Sequence, residues 1–159
     1  MDYSMIHGVC LQVLFIPISL LYDRKSKEKT IMDELNLLLQ YFYMHPSKKS
    51  FSKVFVCFMD MNEDEEPILV AVCPDQNGFL TIMDDHGHQY YMAYSDPEMV
   101  PAGIRTVMLS VFELNKKVFQ DEECFGISIN PQQEPPAVIL KSQMNSFFTL
   151  AEIIRNRMR

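Results

Sequence analysis

A chain of 159 residues, 48% hydrophobic and with a formal net charge of −7, is long enough to bury one substantial core. It is too acidic to offer the clustered Lys and Arg that nucleic-acid phosphates require, so a nucleic-acid partner is excluded. Four cysteines, Cys10, Cys57, Cys73 and Cys124, show neither C-x-x-C spacing nor histidines at zinc-site intervals, which predicts reduced thiols and a cytoplasmic protein.

Val9 to Tyr22 is an apolar run too short to span a bilayer unaided. The basic cluster Arg24, Lys25, Lys27 and Lys29 follows that run, the reverse of a secretory signal. Two readings of residues 1–31 stand. Lys27-Glu28 can be encoded AAG-GAG, a purine-rich ribosome-binding sequence a few codons ahead of Met32, which makes the segment a translated leader from a start placed too early. Alternatively it is a genuine apolar segment packed on the domain, with Thr30-x-x-Asp33 as a capping pattern. A membrane is a partner only if residues 9–22 are a real anchor.

From Met32 the chain reads as one domain, 32–159. Leu35, Leu38, Leu39 and Phe42 recur at helical spacing behind Asp33 and Glu34, predicting a helix over 33–44 that His45-Pro46 ends. Lys48 to Lys53 reads as a basic, serine-rich loop and Val54 to Met59 as a short buried strand. Asp60 to Glu66 is an acidic turn. Ile68 to Cys73, Phe79 to Met83 and Gln89 to Tyr94 are strands, separated by the Asn77-Gly78 and Asp84–His88 turns, and are expected to form an antiparallel meander. Ser95 to Gly103 is a loop or a single helical turn.

Thr106 to Leu109 is a strand, and Ser110-x-x-Glu113 opens a helix through Val111, Leu114 and Val118 to about Gln120. With Phe125 to Ile129 these elements make a βαβ unit with parallel strands. Asn130-Pro131 ends the strand: proline biases Asn130 toward extended backbone, and the amide can bond the turn. Ala137 to Lys141 returns as a strand, and Ser142 leads a last helix with Phe147, Leu150, Ile153 and Ile154 on one face. The expected fold class is α+β, a mixed, mostly antiparallel sheet with one βαβ unit and helices packed on it.

Three stretches carry candidate chemistry. Asp60-x-Asn62-x-Asp64-x-Glu66 places oxygen donors at the odd positions of a calcium loop, but Glu65 stands where the turn needs Gly and Ala71 where a bidentate Glu belongs. Asp84-Asp85-His86-Gly87-His88 gathers two carboxylates and two imidazoles without a third ligand position that spacing identifies. Along Gln89 to Tyr94, alternation puts Tyr91 on the face opposite Tyr90 and Tyr94, so a tyrosine is expected to line a surface groove. No nucleophile elbow, phosphate loop or dinucleotide glycine fingerprint occurs.

The leading amphipathic helix, Tyr90-Tyr91-Met92-Ala93-Tyr94-Ser95-Asp96, and Gly126-Ile-Ser-Ile-Asn130-Pro131 together resemble the N-terminal domain of the SseB family, the enhanced serine sensitivity proteins, over roughly residues 33–155. Tyr94-Ser95 stands where that family more often has Phe-Thr. The resemblance implies an α/β fold and a bacterial protein, and it implies no enzymatic activity.

The functional expectation is a non-enzymatic interaction module without cofactor or metal. Tyr90, Tyr94, Ser95, Asn130 and Pro131 would contact another protein or a second copy of the chain. The rival is a small-ligand or metal-binding domain in which the Asp84–His88 turn and the Asn130-Pro131 corner converge on one pocket.

Overall fold

The structure, a computed structural model, describes residues 31–75 and 78–159. The apolar run 9–22, the leader question over 1–31 and Asn77 of the expected Asn-Gly turn lie outside the described residues, apart from Ile31 itself.

Helix α1 spans Ile31–Met44, two residues earlier than its periodicity predicts, and buries Leu35, Leu39 and Phe42 along one face. The expected loop at 48–53 and strand at 54–59 are both corrected. Residues Lys48–Glu63 form one helix, α2, opened by a reciprocal cap in which Ser47 Oγ accepts from Ser50 N and Ser50 Oγ accepts from Ser47 N. Phe51, Val54, Phe55, Cys57, Phe58, Met59 and Met61 are all buried. A helix enclosed around most of its circumference loses the apolar/polar period that marks a surface helix, and a run such as Val54 to Met59 then looks like a buried strand. The acidic stretch is likewise not a turn between strands. Asp60 to Glu63 complete α2, and Glu65, at φ 52°, closes it as Glu66 N donates to Met61 O.

Six strands follow: β1 Pro67–Val72, β2 Thr81–Met83, β3 Gln89–Tyr94, β4 Arg105–Ser110, β5 Cys124–Ile129 and β6 Ala137–Leu140. Helix α3, Val111–Gln120, lies between β4 and β5 on the predicted Ser110/Glu113 capping box, and helix α4, Lys141–Arg157, runs on directly from β6. The sheet order is β4-β1-β3-β5-β6 with β2 also paired to β3, and every pairing is antiparallel except β3 with β5. The α+β class with a mixed, mostly antiparallel sheet is therefore what this chain adopts. Strands β4 and β5 of the βαβ unit do run parallel, with β1 and β3 between them.

The meander is corrected. Both β1 and β2 pair antiparallel to β3, β1 at Tyr94 and Ala93 and β2 at Tyr91 to Gln89, so they are two consecutive pieces of one track along β3. The chain leaves that track after Ala71 and rejoins it at Leu80, whose N–H donates to Ala71 O, and a Val72–Phe79 bridge closes the neck of the excursion.

Alternation along each strand sorts the core. Ile68 and Val70, Tyr91 and Ala93, Ile127 and Ile129, and Ala137 and Ile139 join helices α1 to α4 in the main core. The other face carries Leu69, Ala71 and Tyr94 beneath Met99, Val100 and Ile104, which arrive from a 3-10 turn at Pro97–Met99 and the loop after it. Gly126 lets β5 and β6 meet, because a Cβ there would stand 2.1 Å from Ile139 O. Among the described residues no helix is long and apolar enough to cross a membrane.

Candidate functional site

The parallel pair β3 and β5 ends in two buried polar residues, Ser95 and Asn130, each 1% exposed. Proline at 131 does not hold Asn130 extended. Its φ is 49°, a left-handed conformation that asparagine accepts better than most residues because its short polar side chain can bond nearby backbone. That rotation carries the amide away from its own turn and across to β3. Asn130 Oδ1 accepts from Ser95 N at 3.1 Å, and Nδ2 donates to Ser95 Oγ at 2.9 Å and to the Tyr43 hydroxyl at 3.4 Å. From α1, Asn36 Nδ2 donates to Ser95 O at 3.2 Å. Burial pushes the Tyr43 hydroxyl up to about 12, with the Asn130 contact working the other way. The carboxyl end of a parallel pair is where open α/β sheets place ligands. Here neutral amides and hydroxyls bonded to one another close it.

The Asp84–His88 turn is equally engaged. Asp84 Oδ1 accepts from His86 N at 2.8 Å and His88 N at 2.9 Å, while Oδ2 meets the Tyr90 hydroxyl and His88 Nδ1, both at 3.0 Å. Burial alone would raise this carboxyl, but the four hydrogen bonds outweigh it and hold the pKa down to about 2. Gly87, at φ 82°, supplies the positive backbone angle the turn needs, and the His88 ring lies 4.0 Å from the Phe125 ring, centroid to centroid. This turn precedes β3 whereas Asn130 follows β5, which runs parallel to β3. The two corners stand at opposite ends of the sheet, about 20 Å apart at 3.3 Å per strand residue. They do not converge on one pocket. Among the described residues no group of three or more His, Cys, Asp or Glu is placed to hold a metal.

A third cluster joins residues too far apart in the chain for spacing to reveal. The Tyr91 hydroxyl donates to Asp121 Oδ2 at 2.6 Å, Lys141 Nζ donates to Asp121 O at 2.7 Å, and Cys124 Sγ donates to Gly126 O at 3.2 Å. Burial raises the Tyr91 hydroxyl above its ordinary range, reinforced by the Asp121 bond and charge, and burial likewise raises the Cys124 thiol. A neutral, buried thiol is a poor nucleophile.

The five residues expected to contact a partner fall mostly inside the chain. Tyr90 is buried with its hydroxyl on Asp84, Ser95 and Asn130 form the knot above, and Pro131 is half-buried. Tyr94 is 0% exposed, and among the described residues its hydroxyl has no hydrogen-bond partner. Alternation does separate Tyr91 from Tyr94, but the second sheet face is roofed by Met99, Val100 and Ile104 instead of open to solvent. Exposed apolar side chains are spread over the helices and strands, Met44 and Met83 among them, and three follow one another closely at β4. Val107 is 39% exposed and Met108 61% on β4, and Phe112, 42% exposed, opens α3 directly after it. The edge position of β4 had no signature in the sequence, because strand order depends on pairings between distant segments. Comparison of the chain with family models, with curated proteins and with solved structures finds no match.

Proposed function

We propose that this chain is a non-catalytic protein-interaction module, SseB-like in its order of elements and cytoplasmic in a bacterium. The supporting observation is the contrast between its chemical groups and its surface. The carboxylate, thiol and hydroxyls most perturbed from their ordinary pKa values are buried or half-buried and, except for the Tyr94 hydroxyl, engaged with neighbours among the described residues, while Val107 and Met108 stand exposed on the edge strand β4 and Phe112 on the helix that follows it. Exposed apolar side chains along a sheet edge favour contact with another protein. The ligand-binding reading loses support from the separation of its two turns.

The test is affinity capture with the tagged full chain, with Phe112→Ser and, as a control away from the β4 edge, Thr81→Ser, alongside a thermal-shift panel of divalent metals and metabolites. A stoichiometric protein retained by the parent and the control and lost by Phe112→Ser, at unchanged thermal midpoint, is the expected result. Empty capture together with a midpoint raised several degrees by a metal or metabolite would overturn the reading.

A further inference from the structure

We propose that the outer edge of β4 is a self-association site at which two copies pair β4 to β4, antiparallel and about a two-fold axis. The proposal rests on the interaction reading and names the partner as a second copy of this chain.

An edge strand presents unpaired N–H and C=O groups, and proteins guard such edges with short strands, proline, charged side chains or a bulge, whereas β4 carries its one charge at its first residue, Arg105. The other edge, β6, has four residues and follows Pro135-Pro136, and β2 has three. Strand β4 has six residues, Arg-Thr-Val-Met-Leu-Ser, with neither lysine nor proline, and it pairs in unbroken register with β1 from Arg105 to Ser110. Among the described residues no strand covers its outer side. Its exposed apolar side chains fall on both faces: Val107 pairs with Val70 on the helix side and Met108 with Leu69 on the other.

Charge selects the orientation and the occupant. Arg105 stands at the start of β4, and Glu113 is held at its end, where Glu113 Oε2 accepts from Ser110 N and Oγ, both at 3.3 Å. Antiparallel pairing of two copies brings each arginine toward the other copy's Ser110–Glu113 end, whereas parallel pairing sets like against like. The edge is thus complementary to itself, as an isologous contact requires.

Symmetry limits the register. A two-fold perpendicular to the sheet keeps each face on its own side, so residues of the same face must pair, and the centre falls on a residue instead of between two. Centred on Val107, the pairing sets Val107 on Val107 and Met108 on Thr106. Centred on Met108, it sets Met108 on Met108 and Val107 on Leu109. Either arrangement covers the exposed apolar pair and leaves Arg105 within a residue or two of the second copy's Ser110.

The test is made on the full chain. Sedimentation equilibrium over a concentration series is expected to give twice the chain mass at high concentration. Met108→Lys, which sets like charges near the axis, is expected to weaken the dimer about tenfold or more while leaving the thermal midpoint unchanged at concentrations where both proteins are monomeric. Arg105→Glu is expected to weaken it, and Arg105→Glu combined with Glu113→Lys to restore it. In a Cys10→Ser/Cys73→Ser background, one of V107C and M108C is expected to cross-link on mild oxidation, because directly opposed residues bring Cα atoms to about 4.5–5.5 Å, within disulfide reach. A monomer at every concentration overturns the proposal, as does a dimer that Met108→Lys leaves intact and neither cysteine cross-links. In both cases a captured protein lost with Phe112→Ser would leave the interaction reading standing, so the two fail separately.

Discussion

Replacing Asn130 by alanine removes its hydrogen bonds to Ser95 and Tyr43 together with a backbone preference, and two contributions set most of the loss. The first is the acceptor for Ser95 N, 3.1 Å away in a site where both residues are 1% exposed. Loss of Oδ1 leaves that N–H buried and unpaired, at a cost of about 1–3 kcal/mol. The second is conformational. At φ 49° alanine meets the left-handed penalty of about 1–2 kcal/mol, which asparagine partly escapes. Together they put Asn130→Ala about 3 kcal/mol below the parent. Asn130→Gly loses the same acceptor but not the steric penalty, and its gain is trimmed by the greater freedom of glycine in the unfolded chain, about 0.4–1 kcal/mol. Glycine should therefore be more stable than alanine at this position by about 0.5–1 kcal/mol. Ser95→Ala, which keeps its backbone N–H on Oδ1, should lose only about 1 kcal/mol. Urea unfolding at constant m-value measures all three. An alanine variant as stable as the glycine variant, or a loss below about 1 kcal/mol, would refute the assignment of Asn130 as the clasp between β3 and β5.

Tyr94→Phe should hold or raise stability by roughly 1 kcal/mol, because it removes a hydroxyl that is buried without a partner and retains the ring in the Met99, Val100 and Ile104 layer; a loss above 1 kcal/mol in urea would show that the hydroxyl is bonded. Asp84, whose folded pKa is depressed to about 2, contributes stability that is present above its ordinary value near 3.8 and is lost as pH falls toward 2. After allowance for solvent screening the contribution is about 1 kcal/mol. The stability gap between the parent and Asp84→Asn should be constant above pH 5 and shrink between pH 4 and pH 2, and a gap independent of pH across that window would contradict the hydrogen-bonded carboxylate.

The elements legible in the sequence are those whose one exposed face or end leaves a periodic or capping signal. Helix α1 shows Leu35, Leu39 and Phe42 at helical spacing, α3 shows its Ser110/Glu113 box, and β3 is bracketed by the Asp84–His88 turn and Ser95-Asp96. From these the α+β class follows, because strands with short connections and amphipathic helices leave few ways to bury their apolar faces. Helix α2 was not legible, since burial on most sides removes the contrast that periodicity depends on. That most of the residues expected to contact a partner are buried was illegible for a related reason. Alternation tells which tyrosines share a face, but whether a face is solvent or core depends on what packs over it, and the roof over Tyr94 comes from the loop after β3. Tertiary structure alone also decided that the Asp84 and Asn130 corners stand at opposite ends of the sheet, that Asn130 is left-handed, and that β4 is an edge. Each of these depends on pairing between segments distant in the chain. A local pattern records the preferences of a residue and its near neighbours, whereas strand order is chosen by the global burial of apolar surface.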